Sequence, residues 1–294
     1  MKEITLSASA KINLSLDITG VREDGYHLMD MVMQSVGLAD TVWLRRAADI
    51  SVRVERGGLQ VNGIPQGESN TAVRAARVFF EAAKIEGGCQ IHIEKRIPQQ
   101  AGMGGGSADA AAVLVGLNEL YEAGLSRKTL MHLGLKVGAD VPFCLHGGTA
   151  RVQGIGEQVT PVVSMPDCHM VVIKPPFGIS TADAFGRFDR VGVSRRPDNE
   201  GLLAAMARKD LAAMEPCMAN VMEEAADFPQ ISLLRQKLKE QGASASLMTG
   251  SGSAVYGIFA DGQTAFYAAK ELFGEGQSFL TVPVAEGVRI LDKR

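Results

Sequence analysis

From Ile4 to Thr19 apolar and polar side chains alternate almost without a break. Ile4, Leu6, Ala8, Ala10, Ile12, Leu14, Leu16 and Ile18 fall on one side. Thr5, Ser7, Ser9, Lys11, Asn13, Ser15 and Asp17 fall on the other. Successive Cβ atoms of an extended chain point to opposite faces, so a period of two over this length predicts a half-buried strand or hairpin arm. Asp49–Glu55 and Cys89–Lys95 repeat the pattern more briefly, and Thr149–Val159 reads as further strand around Gly154 and Gly156. Helical patterns predict helices over Thr71–Lys84, Ala108–Tyr121 and Arg127–Val137, with Gly124 and Ser126 punctuating the last two.

A proline-bounded stretch, Pro161–Pro166, marks a change. Beyond it, strands are expected at His169–Lys174, Ala254–Ala260 and Phe279–Val284, and helices at Gly201–Arg208, Ile231–Gln241 and Gln263–Leu272. Asp183–Asn199 is arginine-rich and aperiodic, and reads as an irregular, mobile loop. Strands and helices mix without a strict βαβ cadence, which implies α+β packing in both halves. The expected division is into residues 1–160 and 161–294.

Between the strand-like stretch Cys89–Lys95 and the helix Ala108–Tyr121 lies the segment richest in chemistry, Pro98-Gln99-Gln100-Ala101-Gly102-Met103-Gly104-Gly105-Gly106-Ser107. Glycine at 102, 104, 105 and 106 leaves the backbone free of Cβ atoms, so its N–H groups can close around a ligand. The helix start that follows adds unpaired donors and the positive end of a dipole, which favour a phosphate. Ser107 reads as the N-cap. The segment is not a Walker A loop, because no Gly-Lys pair follows, and not a dinucleotide fingerprint, because serine takes the last glycine position. H-R-D and D-F-G of protein kinases are absent. A flexible turn before a packed helix remains the bland alternative.

The net charge of −3 has no basic excess, which argues against a dedicated nucleic-acid partner. An acidic ligand must then be held by local groups and backbone amides. The four scattered cysteines form no C-x-x-C pair and read as free thiols of a reducing compartment. The first residues lead straight into a strand pattern, and no apolar run approaches a membrane span, so a cytoplasmic protein without a membrane partner is expected. The five histidines lack metal-ligand spacing, and the metal ligands stay unknown.

Other segments carry candidate chemistry. Lys11 and Asn13 project together from the polar face of the first strand, which by itself reads more readily as a solvated face, though Ser7, Ser9 and Ser15 share it. Gly138-Ala139-Asp140-Val141-Pro142 sets one carboxylate among small and apolar residues, either tuned for chemistry or capping a turn. Arg22–His27 is a turn that carries an aromatic ring and an imidazole, and Thr249–Ser253 is a glycine-serine turn able to present amides or hydroxyls.

Taken in order, these segments resemble the GHMP kinases, named for galactokinase, homoserine, mevalonate and phosphomevalonate kinases. Pro98…Gly102-Met103-Gly104 fits the first half of that family's central motif. Ala10–Leu14, Asp24–His27, Lys95–Pro98, Gly104–Ser107, Gly138–Pro142 and Thr249–Gly252 are similar to one branch, whose small-molecule substrate carries a cytidine diphosphate group. The resemblance implies the two-domain α+β GHMP architecture with the active site in the cleft between domains. It implies ATP as phosphoryl donor and Mg²⁺. Asp140 would be the catalytic aspartate and Lys11 its partner. Pro98, Gly102, Gly104, Gly105, Gly106 and Ser107 would hold the phosphates, and Asn70 the adenosine side. Asn13, Tyr26, His27 and Phe185 would contact substrate. Met103 and Ala108 depart from the usual leucine and serine, and Ala108 leaves Ser107 as the loop's hydroxyl. A kinase of the same family for another alcohol, or a non-catalytic nucleotide-binding regulator, are the alternatives.

Overall fold

The alternating N-terminal segment forms strand β1 (Glu3–Val21), and its apolar side is buried from Ile4 to Ile18. A computed structural model of the chain describes residues 2–56, 59–60, 63–191, 193–226 and 228–294. β1 is followed by β2 (His27–Ala47), β3 (Ser51–Arg56), β4 (Leu59–Gln60), helix α1 (Thr71–Ala83) and β5 (Gly88–Glu94). Helices α2 (Gly105–Leu120), α3 (Arg127–Val137) and α4 (Val141–His146) precede β6 (Thr149–Gly154) and β7 (Gln158–Pro161). The remaining elements begin with β8 (His169–Lys174), α5 (Thr181–Phe188), α6 (Asn199–Ala207), α7 (Leu211–Met214), α8 (Val221–Ala226) and α9 (Pro229–Glu240). They end with β9 (Ala245–Met248), β10 (Val255–Phe259), α10 (Gly262–Glu271), β11 (Gln277–Thr281) and β12 (Val288–Lys293).

The strands make two sheets. The first has the order β12-β1-β2-β5-β3-β4, with β6 attached to the other half of β2 and β7 to β6. The second is β11-β8-β10-β9, antiparallel throughout. The last strand returns to pair with β1, so residues after 288 close the first sheet. Apolar packing is continuous across the two sheets: one cluster joins Ile12 and Leu14 of β1 to Met170, Leu247 and Tyr256 of the second sheet.

Three differences from the sequence expectations have local causes. The helix after the glycine loop starts at Gly105 rather than Ala108, and its N-cap is Gly104, with φ 68° and no side-chain cap bond; Ser107 lies inside the first turn. Glycine adopts that left-handed geometry without a Cβ clash, so no serine cap is needed. The segment 183–199 is not wholly irregular, because α5 covers its first residues, capped by Ser180 and packed through Ala184. Residue 192 lies outside the described residues. The polar side of β1 is not a solvated face either. From Ala10 to Leu16 both faces are buried, because the second sheet and its loops cover it.

Candidate active site

Two of the three irregularities in the pairing of β1 with β2, at Ser9/Ala10 and Asn13/Ser15, turn backbone groups away from the ladder. They are taken up by the rest of the site. Lys11 N–H donates to Met103 O of the glycine loop at 3.0 Å. Asn13 N–H donates to Thr249 Oγ1 at 3.1 Å, and Asn13 O accepts from the Tyr256 hydroxyl at 2.8 Å. The strand thereby fixes Lys11 between the glycine loop and the second sheet.

Lys11 is 4% exposed and its Nζ donates to Asn13 Oδ1 at 2.7 Å. The same Nζ lies 3.6 Å from Asp140 Oδ2. Asp140 occupies the N-cap of α4 but makes no side-chain cap bond, which leaves its carboxylate available. The pair borders the loop: a Cβ on Gly104 would sit 2.9 Å from Lys11 Cγ and 3.7 Å from Asp140 Oδ2.

The loop itself is clamped from the second sheet. Thr249 Oγ1 donates to Gly102 O at 3.2 Å, Ser253 N–H to Gln100 O at 3.2 Å and Ala254 N–H to Ala101 O at 3.3 Å. Gly102 has φ 69°, and a Cβ there would meet Thr249 O at 2.0 Å, so only glycine permits this approach. Helix α2 begins its bonding with Ala108 N–H to Gly104 O. The amides of Gly105, Gly106 and Ser107 precede that ladder, in residues that border one large cleft.

That cleft has a volume of about 970 Å³. It brings together Lys11, Asp140, Pro98, Gly102, Gly104, Gly105, Gly106, Ser107 and Asn70 at one side, and Tyr26, His27 and Phe185 at the other. Asn13 is absent from its wall. It is fully buried beneath Lys11, with Oδ1 also accepting from Gly250 N–H at 3.1 Å. Asn70 Oδ1 caps α1 through Ala72 N–H and its Nδ2 donates to Pro65 O at 2.7 Å. Ala108 is buried in the core, so the departure at that position falls away from the cleft wall. At the far end the His27 and Phe185 rings stack with centroids 4.6 Å apart, and Tyr26 stands exposed beside them.

A buried ionic cluster supports the loop from below. Lys95 Nζ bonds the carboxylates of Asp40 and, at 2.7 Å, Asp109. Asp40 Oδ1 accepts from the N–H groups of Arg96 and Ile97, at 2.6 and 2.9 Å, where the chain enters the loop. Burial pushes the Asp109 carboxyl up to about 7, against the attraction of Lys95. Burial also works against the Lys95 charge, but Asp109 and Asp40 outweigh it and raise that group. Lys95 opens one of the quoted segments and Asp109 lies in the helix predicted after the glycine loop, yet no local signal distinguishes them, because Asp40 comes from a different strand.

Among the described residues no group of three or more His, Cys, Asp or Glu side chains could hold a metal ion. The four cysteines are free thiols, and no helix of the described residues is long and apolar enough to cross a membrane.

Comparison with known proteins defines the class. The profile of the GHMP kinases N terminal domain matches residues 70–148, and that of the GHMP kinases C terminal domain matches residues 202–275. The chain belongs to the GHMP kinase family, whose phosphoryl donor is ATP. Within it, the chain is similar to 4-diphosphocytidyl-2-C-methyl-D-erythritol kinases. It is 42% identical to that of Acetivibrio thermocellus, over 96% of this chain and 99% of the relative. The corresponding enzyme of Lachnospira eligens is 39% identical over 95% of this chain and 96% of its own. A solved 4-(cytidine 5'-diphospho)-2C-methyl-D-erythritol kinase superposes with a TM-score of 0.78 at 34% identity, covering 95% of this chain and 99% of that one. A homoserine kinase from Cytophaga hutchinsonii, 20% identical, shares the fold with a TM-score of 0.77 over 99% of this chain and 98% of its own.

Proposed function

We propose that this protein transfers the γ-phosphoryl group of ATP to the 2-hydroxyl of 4-diphosphocytidyl-2-C-methyl-D-erythritol, a step toward isoprenoid precursors. The observation that carries the reading is one cleft with a lysine–aspartate pair at a glycine loop and an aromatic pair at its other end. A phosphate site alone would suit many nucleotide binders. The second end is what a long substrate with a nucleobase requires.

In this reading Gly102, Gly104, Gly105, Gly106 and Ser107 hold the ATP phosphates through amides that no helix bond consumes. Pro98 sets the entry to the loop, and Asn70 lies on the adenosine side. Asp140 accepts the proton of the attacking hydroxyl as its oxygen bonds to phosphorus and the β–γ bridge breaks, leaving ADP. Lys11 stabilises negative charge on that oxygen and pairs with the Asp140 carboxylate 3.6 Å away. Asn13 acts from below by fixing the Lys11 ammonium, rather than through the cleft wall. Tyr26, His27 and Phe185 receive the cytosine, where stacking on a ring contributes about 1–3 kcal/mol in nucleic-acid systems.

The donor set suits a Mg²⁺ carried mainly by the nucleotide, since the cleft offers the Ser107 hydroxyl and the Asp140 carboxylate but no cage. Bound there, the ion would neutralise charge on the β- and γ-phosphates.

The test is ADP release from ATP and Mg²⁺ with the cytidine substrate, beside homoserine and mevalonate. Turnover with the cytidine substrate alone is expected. Turnover with another alcohol would overturn the base-site assignment, and ATP binding without any turnover would favour a regulator.

A further inference from the structure

We infer that Asp189, which closes α5, fixes the tautomer of His27 and thereby sets the choice between cytosine and uracil in the substrate. The inference rests on the proposed cytidine substrate. Asp189 Oδ1 lies 2.7 Å from His27 Nε2, across 162 residues of sequence. The imidazole is 13% exposed and the carboxylate 51% exposed, so the bond seals one edge of a largely enclosed ring. Phe185 stacks on that ring at 27°, and Phe188 meets it edge-on at 6.2 Å. All three residues come from α5 and its end, while His27 opens β2.

Chemistry decides the proton. An ionised carboxylate only accepts, so Nε2 is the nitrogen that carries hydrogen. In the neutral ring Nδ1 is then a bare acceptor, in a residue that lines the cleft. Cytosine offers an exocyclic amine to such an acceptor, whereas uracil offers a carbonyl oxygen and leaves two acceptors opposed. The position of Asp189 has no helix-stabilising explanation, because a negative charge at a helix C-terminus opposes the dipole. Its bond to His27 supplies one.

The experiment combines ¹⁵N NMR of the His27 ring with steady-state kinetics on the cytidine substrate and its uridine counterpart. The wild type is expected to carry its proton on Nε2 and to prefer the cytidine substrate. In Asp189→Ala the Nε2–H preference is lost, and the ratio of kcat/KM values falls by about tenfold or more, through KM. kcat stays within about twofold, since Lys11 and Asp140 are untouched. Asp189→Asn, whose amide oxygen can still accept, keeps most of the discrimination. An Nδ1–H ring in the wild type, or an unchanged ratio in Asp189→Ala, overturns the inference. An Nε2–H ring that depends on Asp189, in a protein that turns over neither substrate, supports tautomer control and overturns the substrate reading instead.

Discussion

Asp140 stands at a helix N-terminus without capping it, 3.6 Å from an ammonium that is itself held by an asparagine. A carboxylate so placed can take a proton only while it is ionised. Asp140→Asn keeps the shape and removes the proposed base, so turnover should fall at least about 10²-fold with ATP affinity retained. Single-turnover assays with parallel nucleotide titrations check this, and near-normal turnover would remove Asp140 from the role. Asp109 makes a different prediction. Its carboxyl is raised by burial from 3.8 to about 7, and its Oδ1 has no partner among the described residues. The folded state therefore holds a proton that the unfolded chain has released. The stability this group contributes is complete below its unfolded value and is lost as pH rises toward 7. Asp109→Asn should lack that decline, so the variant gains on the wild type between pH 5 and pH 8 in urea titrations. A pH-independent difference would contradict the buried, proton-holding carboxyl.

The glycine loop works as an element only because the Thr249–Ser253 turn is pressed onto it. Gly102→Ala should cost at least about 2 kcal/mol, from left-handed strain together with the contact to Thr249 O, and should weaken ATP binding. A change below about 0.5 kcal/mol in the urea midpoint would mean that the clamp is loose. A helix with one buried face was legible as sequence: α3 coincides with the periodic stretch that marks it, and β8, buried on both faces, with a short apolar run after the prolines. β2 escaped, because Met31 to Val36 is buried on both faces and the period of two disappears. α4 and α5 escaped because helices of six and eight residues offer too few turns for a pattern. The division at 160/161 stands as a proposal, with β12 crossing back over it.

At the scale of the molecule the site is a junction. Tyr256 in the second sheet donates to Asn13 O in the first, fully buried. Tyr256→Phe leaves that carbonyl unpaired and should destabilise the fold by about 1–3 kcal/mol while lowering kcat, because Asn13 carries Lys11. An unchanged urea midpoint would show that the two sheets do not depend on this bond. By itself the sequence determined the glycine loop, the helix behind it, the strand bearing Lys11 and the family, since each lies in a short run whose residue types suffice. Tertiary structure alone decided that Lys11 meets Asp140, that Asn13 lies under the site, and that Lys95 bridges Asp40 and Asp109. It alone set Asp189 against His27. These are pairings between separate elements, fixed by how two β1 irregularities and two sheets pack, and no local pattern of side chains encodes them.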